Sequence, residues 1–228
     1  MPDLDQSKED LEDVPPMAIK RDSGNNWPFF YGSNIAVDAQ IGRIVDALEE
    51  NDLIDDTLIV VRSDHGYFLG EKGLWYKRKN FERSLRVPLI IAGGGISAQT
   101  QACSQIVELV DLYLTIVDHA GYKVPQVLEG VSLVPLLNDP LADWDKPAIS
   151  QVIHSRSEAY GFSLRTDRWR YTEWKRGEAG RELYDHANDP DEVTNLAGYP
   201  EHAALVKRLS EQLKPFVDTM SNASVLAN

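Results

Sequence analysis

The chain has 228 residues, 43% of them apolar and 26% charged, a balance that suits a globular protein able to bury a substantial core. Its net charge of −13 argues against nucleic acid or an anionic membrane surface as partner, because both are held by clustered cations. No run is long and apolar enough to span a membrane, nothing reads as a basic-then-apolar export leader, and the single Cys103 allows no intrachain disulfide.

Residues 1–32, rich in acids and carrying Pro2, Pro15 and Pro16, are expected to form an extended acidic segment. Val37, Ile41, Ile44, Val45 and Leu48 then share one face of a helix expected over about 33–50, which Asn51-Asp52 ends. A strand follows at about 57–62, and a second at about 87–92, broken by Gly93-Gly94-Gly95. That glycine run lacks the surrounding pattern of a phosphate cradle and reads as a turn. Ile106, Leu109, Val110, Tyr113, Ile116 and Val117 predict a helix over about 105–120, with Gly121 placed to end it. After a loop-rich passage, strands are expected at about 149–153, 160–166, 168–174 and at Glu182-Leu183-Tyr184. A last helix at about 200–214 spaces Leu205, Leu209 and Leu213 four apart. The fold class is therefore α/β. Part of a mostly parallel sheet flanked by helices occupies 33–147, and a small antiparallel sheet with a C-terminal helix occupies 148–228.

The chemistry gathers after the first strand. Leu58-Ile59-Val60-Val61 suits a strand covered on both faces, and Ser63-Asp64-His65-Gly66 follows at the carboxyl end, where open α/β sheets place their ligands. Asp64 offers a hard oxygen and His65 an imidazole nitrogen; by pattern alone the favoured reading is a turn cap and an ordinary loop histidine. Between Lys72 and Arg86 lie six basic residues and one acid, Glu82, a local positive island that suits a small anionic substrate. Within it, Arg78 and Lys79 read as solvated loop residues.

Ser63-Asp64-His65-Gly66, Gly70-Glu71-Lys72-Gly73-Leu74-Trp75-Tyr76-Lys77, Phe81-Glu82-Arg83-Ser84 and Arg86-Val87-Pro88-Leu89-Ile90-Ile91-Ala92 together closely resemble the sulfatases of the alkaline phosphatase superfamily. Among them the iduronate-2-sulfatase-like group is the most similar. The likeness continues through Val107-Glu108-Leu109-Val110-Asp111, Leu128-Glu129-Gly130-Val131-Ser132-Leu133, Arg168 to Trp174 and Glu182-Leu183-Tyr184-Asp185, over roughly residues 10–215. It implies that Asp64 and His65 are two ligands of a divalent metal, Ca²⁺ or Mg²⁺. It also implies that Lys77, thirteen residues after Asp64, is the catalytic cation that contacts the sulfate. The implied substrate is a small anionic sulfate ester, by family expectation that of a sulfated sugar.

The family's nucleophile, a cysteine or serine matured to formylglycine in a C/S-x-P/A-x-R motif, has no counterpart here, nor has the aspartate pair that completes the metal site. Cys103-Ser104-Gln105-Ile106-Val107 lacks both the small residue and the arginine. The likeness thus covers the second half of the family's domain, and the chain alone is expected to be inactive. A complementary N-terminal half, or self-association, is the implied partner. A phosphonate or phosphodiester hydrolase truncated at the same place, and a non-catalytic binding remnant, are the alternatives. Family members are often exported or periplasmic.

Overall fold

The computed structural model of the chain describes residues 27–97, 100–123, 128–154 and 159–225. The acidic stretch expected to be extended lies, up to residue 26, outside them. The described residues form two compact units, one of residues 27–77 and 86–97, the other of 78–85 and the residues from 100 onward.

In the first unit, helix α1 (Trp27–Glu50) begins earlier than its apolar stripe indicates. Ile41, Val45 and Leu48 are half-buried, whereas Val37 and Ile44 remain 58% and 64% exposed. The helix closes in a left-handed cap. Asp52 takes φ 56°, its N–H reaches Glu49 O at 3.1 Å, and Leu53 N–H reaches Leu48 O at 2.8 Å. Strand β1 (Leu58–Arg62) pairs with β4 (Leu89–Gly93), Val60 opposite Ile91. The pairing is antiparallel, as is every strand pairing among the described residues. β1 is half-buried along Leu58–Val61, not covered on both faces, and β4 is its only sheet neighbour among the described residues. Between them, β2 (Phe68–Leu69) and β3 (Trp75–Tyr76) make a hairpin.

The second unit starts with the short helix α2 (Glu82–Leu85) and continues through α3 (Asp111–His119) and α4 (Val134–Asn138). Its centre is the antiparallel meander β5 (Ala148–His154), β6 (Ala159–Arg165), β7 (Trp169–Trp174) and β8 (Arg181–Asp185). Residues directly opposite one another share a face, so Leu164, Tyr171 and Leu183 form one row across the sheet. That row is fully buried against Leu209, Leu213 and Val217 of helix α5 (Ala203–Val225), the core of the unit. The other face is polar yet buried, with Ser163 and Thr172 in one row and Arg170 in the next. Residues 78–85 cover it: Asn80, 2% exposed, donates to Gly161 O at 3.0 Å. Among the described residues no helix is long and apolar enough to cross a membrane.

Candidate functional site

β1 delivers Ser63, Asp64 and His65 to its carboxyl end. Ser63 Oγ donates to the His65 carbonyl at 2.9 Å, and Asp64 Oδ1 accepts the His65 N–H at 3.0 Å, so short polar side chains tie the turn locally. His65 Nδ1 lies 2.8 Å from the Gly66 carbonyl, which can only accept; Nδ1 therefore carries the proton and Nε2 presents a lone pair. Lys77 Nζ arrives there at 2.6 Å. The β2–β3 hairpin folds the intervening residues back and brings the two side chains together.

Asp64 completes the group, its Oδ2 3.5 Å from His65 Nε2 and its side chain 73% exposed. Loss of hydration opposes its ionisation, but His65, the backbone N–H groups and Lys77 outweigh that and hold its carboxyl below the ordinary value. A carboxylate oxygen and an imidazole nitrogen this close could supply two ligands to a divalent cation, provided Lys77 leaves the Nε2 lone pair it occupies. The Nδ1–H bond to a carbonyl is also the arrangement that fixes tautomer and ring orientation in metal-binding histidines. Two donors fall short of the roughly six that such cations take, so these two could supply only part of a ligand set.

A second cluster lies in the other unit, where no sequence spacing pointed to it. Ligand atoms of Glu82, His186 and Glu192 come within 4.8 Å of one another. A guanidinium already occupies the cluster: Arg170 Nη2 donates to Glu82 Oε2 and Arg170 Nε to Glu192 Oε1, each at 2.5 Å. Glu192 Oε2 accepts the Glu82 N–H at 2.8 Å, and His186 Nε2 is 3.0 Å from Glu192 Oε1. Burial opposes the charge on Glu82, yet Arg170 and Arg165 hold its carboxyl below the ordinary value. A divalent ion would have to displace Arg170, so this is a buried ion-pair knot and not a metal site. Glu82 and Arg170 are 88 residues apart, a separation that leaves no periodic signal in the sequence.

Residues 70–218 match the family model described as "N-sulphoglucosamine sulphohydrolase, C-terminal". Human arylsulfatase K is 37% identical over 191 residues, covering 80% of this chain and 35% of that protein. Choline-sulfatase of Rhizobium meliloti (strain 1021) is 37% identical over 174 residues, 75% of this chain and 33% of that protein. The solved structure of BT4656, in complex with its substrate D-glucosamine-2-N,6-O-disulfate, superposes with a TM-score of 0.75 at 33% identity, over 82% of this chain and 39% of that one. The chain thus spans about a third of the length of the curated relatives it matches. Family model, relatives and fold agree: the chain belongs to the sulfatase family of the alkaline phosphatase superfamily.

Proposed function

We propose that this chain carries the metal and sulfate side of a sulfatase active site, and that the protein hydrolyses sulfate esters of a sulfated sugar in the manner of the iduronate-2-sulfatase-like group. Asp64 and His65 are ligands of a divalent cation, Ca²⁺ or Mg²⁺, and Lys77 is the catalytic cation. One observation carries this reading: Lys77 Nζ stands 2.6 Å from His65 Nε2 although twelve residues separate them, so ammonium, imidazole and carboxylate converge at the end of β1. When bound, a divalent cation supplies charge neutralisation for the sulfuryl oxygens. The chain's own residues prepare that place. Asp64 is held ionised by its surroundings, and the Nδ1–H bond to Gly66 keeps His65 Nε2 turned toward the site. Lys77 supplies a point charge that can bind a sulfate oxygen and stabilise charge developing in the transition state.

The nucleophile comes from sequence outside these motifs, in a complementary half or in the remainder of a longer protein. The substrate named for BT4656 supports a sulfated sugar; the choline-sulfatase likeness points to the sulfate ester as the shared chemistry. The test combines this chain with a complementary sulfatase half carrying a formylglycine and follows hydrolysis of an aryl sulfate and of a sulfated disaccharide. The lone chain is expected to give no turnover. The combination is expected to be active, with Lys77→Ala lowering kcat/KM by about 10²-fold or more, the loss typical of one transition-state donor. Turnover by the lone chain that survives Asp64→Ala would overturn the reading.

A further inference from the structure

His65 and Lys77 meet only because the residues between them fold back in one register. The β2–β3 ladder has two pairs, Phe68 with Tyr76 and Leu69 with Trp75. A ribbon this short has little register preference of its own, and a slip by one residue would turn its side chains, and Lys77 beyond them, to the opposite face. The turn must therefore set the register. Its backbone is tied by Gly70 N–H to Leu74 O (3.0 Å), Gly73 N–H to Gly70 O (3.0 Å) and Leu74 N–H to Glu71 O (2.9 Å). Gly70, Lys72 and Gly73 all take positive φ, at 115°, 56° and 70°. A side chain at Gly70 would meet the Trp75 ring, whose Cζ2 is 3.2 Å from where a Cβ would stand. At the other end, Tyr76 also has positive φ, 68°, and sets its ring edge-on to Tyr67 at 5.8 Å.

One side chain links this turn to the ladder. Glu71 Oε2 accepts the backbone N–H of Leu69 at 2.7 Å, reaching from the turn to the ladder pair that adjoins it. We infer that Glu71 is a positioning residue, whose carboxylate holds Leu69 and so fixes the hairpin register that delivers Lys77 to His65. The inference rests on reading Asp64, His65 and Lys77 as one site. Glu71 acts through the backbone, so what it must supply is a hydrogen-bond acceptor, not a charge. Glutamine retains an acceptor oxygen at the same reach; alanine does not.

The full chain, uniformly ¹⁵N-labelled and kept free of divalent cations by a chelator, provides the test. The His65 ring resonances are compared in wild type, Lys77→Ala, Glu71→Ala and Glu71→Gln, with the backbone amide signals of β1 and β4 as the check on folding. Lys77→Ala should shift the His65 resonances and so define loss of the contact. Glu71→Ala should move them to the Lys77→Ala positions, and Glu71→Gln should leave them at the wild-type positions. The inference is overturned if Glu71→Ala leaves His65 unchanged, or if Glu71→Gln behaves as Glu71→Ala does. If Lys77→Ala leaves His65 unchanged, it is the contact that fails, and the site reading falls with the inference. Should Glu71→Ala lose the β1 and β4 signals, Glu71→Asp, one methylene short of Leu69, takes its place with the same expected shift.

Discussion

Replacing Arg170 by methionine measures what the buried ion-pair knot contributes to the second unit. The guanidinium, its side chain 3% exposed, donates to Glu82 and Glu192 at 2.5 Å each and to Ser163 Oγ at 3.4 Å. Methionine fills most of its volume, so the cavity cost is small. What remains is electrostatic: Glu82 and Glu192 keep ligand atoms within 4.8 Å of each other, and the Glu192 side chain is 2% exposed. Removing one partner of a buried ion pair costs about 3–5 kcal/mol, because the other partner stays buried and unpaired. Arg165, 3.4 Å from Glu82 Oε2, and His186, 3.0 Å from Glu192 Oε1, offset part of this, which places the expected loss near the lower figure, about 3 kcal/mol. With a urea m-value of about 2 kcal/mol/M, the midpoint should fall by about 1.5 M with little change in slope. Tryptophan fluorescence and far-UV circular dichroism would follow the transition. Converting Glu82 and Glu192 to glutamine in the same background should recover at least half of the loss, since the uncompensated charges are then gone. A loss under about 1 kcal/mol, the range of exposed ion pairs, would refute the assignment of the knot as a buried, strongly coupled group.

Two further outcomes follow from the charges. The Glu82 carboxyl is held low by Arg170 and Arg165 against the opposing effect of burial, and that of Asp185 chiefly by the Arg168 hydrogen bond. A depressed carboxyl contributes stability that is present above its unfolded value of about 4 and lost as pH falls through the folded value, so urea midpoints should drop on acidification below about pH 5. A midpoint flat down to about pH 3 would reject that linkage, and Arg170→Met should show a shallower acid decline than the wild type. In the first unit, calorimetry with Ca²⁺ should give binding no tighter than the millimolar range of weakly liganded oxygen sites, abolished by Asp64→Ala. Tight one-to-one binding would require ligands other than Asp64 and His65.

Where apolar residues recur regularly, the sequence and the structure agree. Leu205, Leu209 and Leu213 form one stripe of α5, and Leu209 and Leu213 are 2% and 0% exposed in the core. The four strands of the meander fall within a residue or two of their expected bounds, because alternation marks them: Tyr171 faces the core while Arg170 and Thr172 face the other way. Boundaries fail where propensity misleads. The last helix, expected over about 200–214, runs on to Val225 with Pro215 inside it, although a proline there removes one intrahelical donor. The expected helix over 105–120 begins only at Asp111, whose Oδ2 accepts the Glu108 N–H at 2.9 Å and whose Oδ1 pairs with Lys146 at 2.6 Å. That lysine lies 35 residues on, and no local pattern announces it. The site was legible only as a string of residue types. Its geometry depends on a hairpin with two residues per strand, too short for any periodicity to reveal.

Lys77 and Glu82 show why a motif string is not one physical object. Along the chain, Gly70 to Arg86 is a single run of clustered charges. In the fold the run divides after Lys77: residues up to it pack with β1 and β4, and residues 78–85 pack with the antiparallel sheet. Lys77 is exposed and reaches the imidazole of His65. Five residues later, the charge of Glu82 is turned inward to neutralise Arg170 and Arg165. Arg83, part of the same basic island, pairs with Asp191 at 3.2 Å on the surface, where such a pair contributes little. Substitution at Lys77 therefore removes charge from the proposed site at small cost to stability. Substitution at Glu82 leaves Arg170 and Arg165 with less compensation inside the second unit, at large cost. Two losses of activity from neighbouring positions of one motif would have different causes, and urea unfolding of each variant separates them: the midpoint should hold for Lys77→Ala and fall for Glu82→Ala.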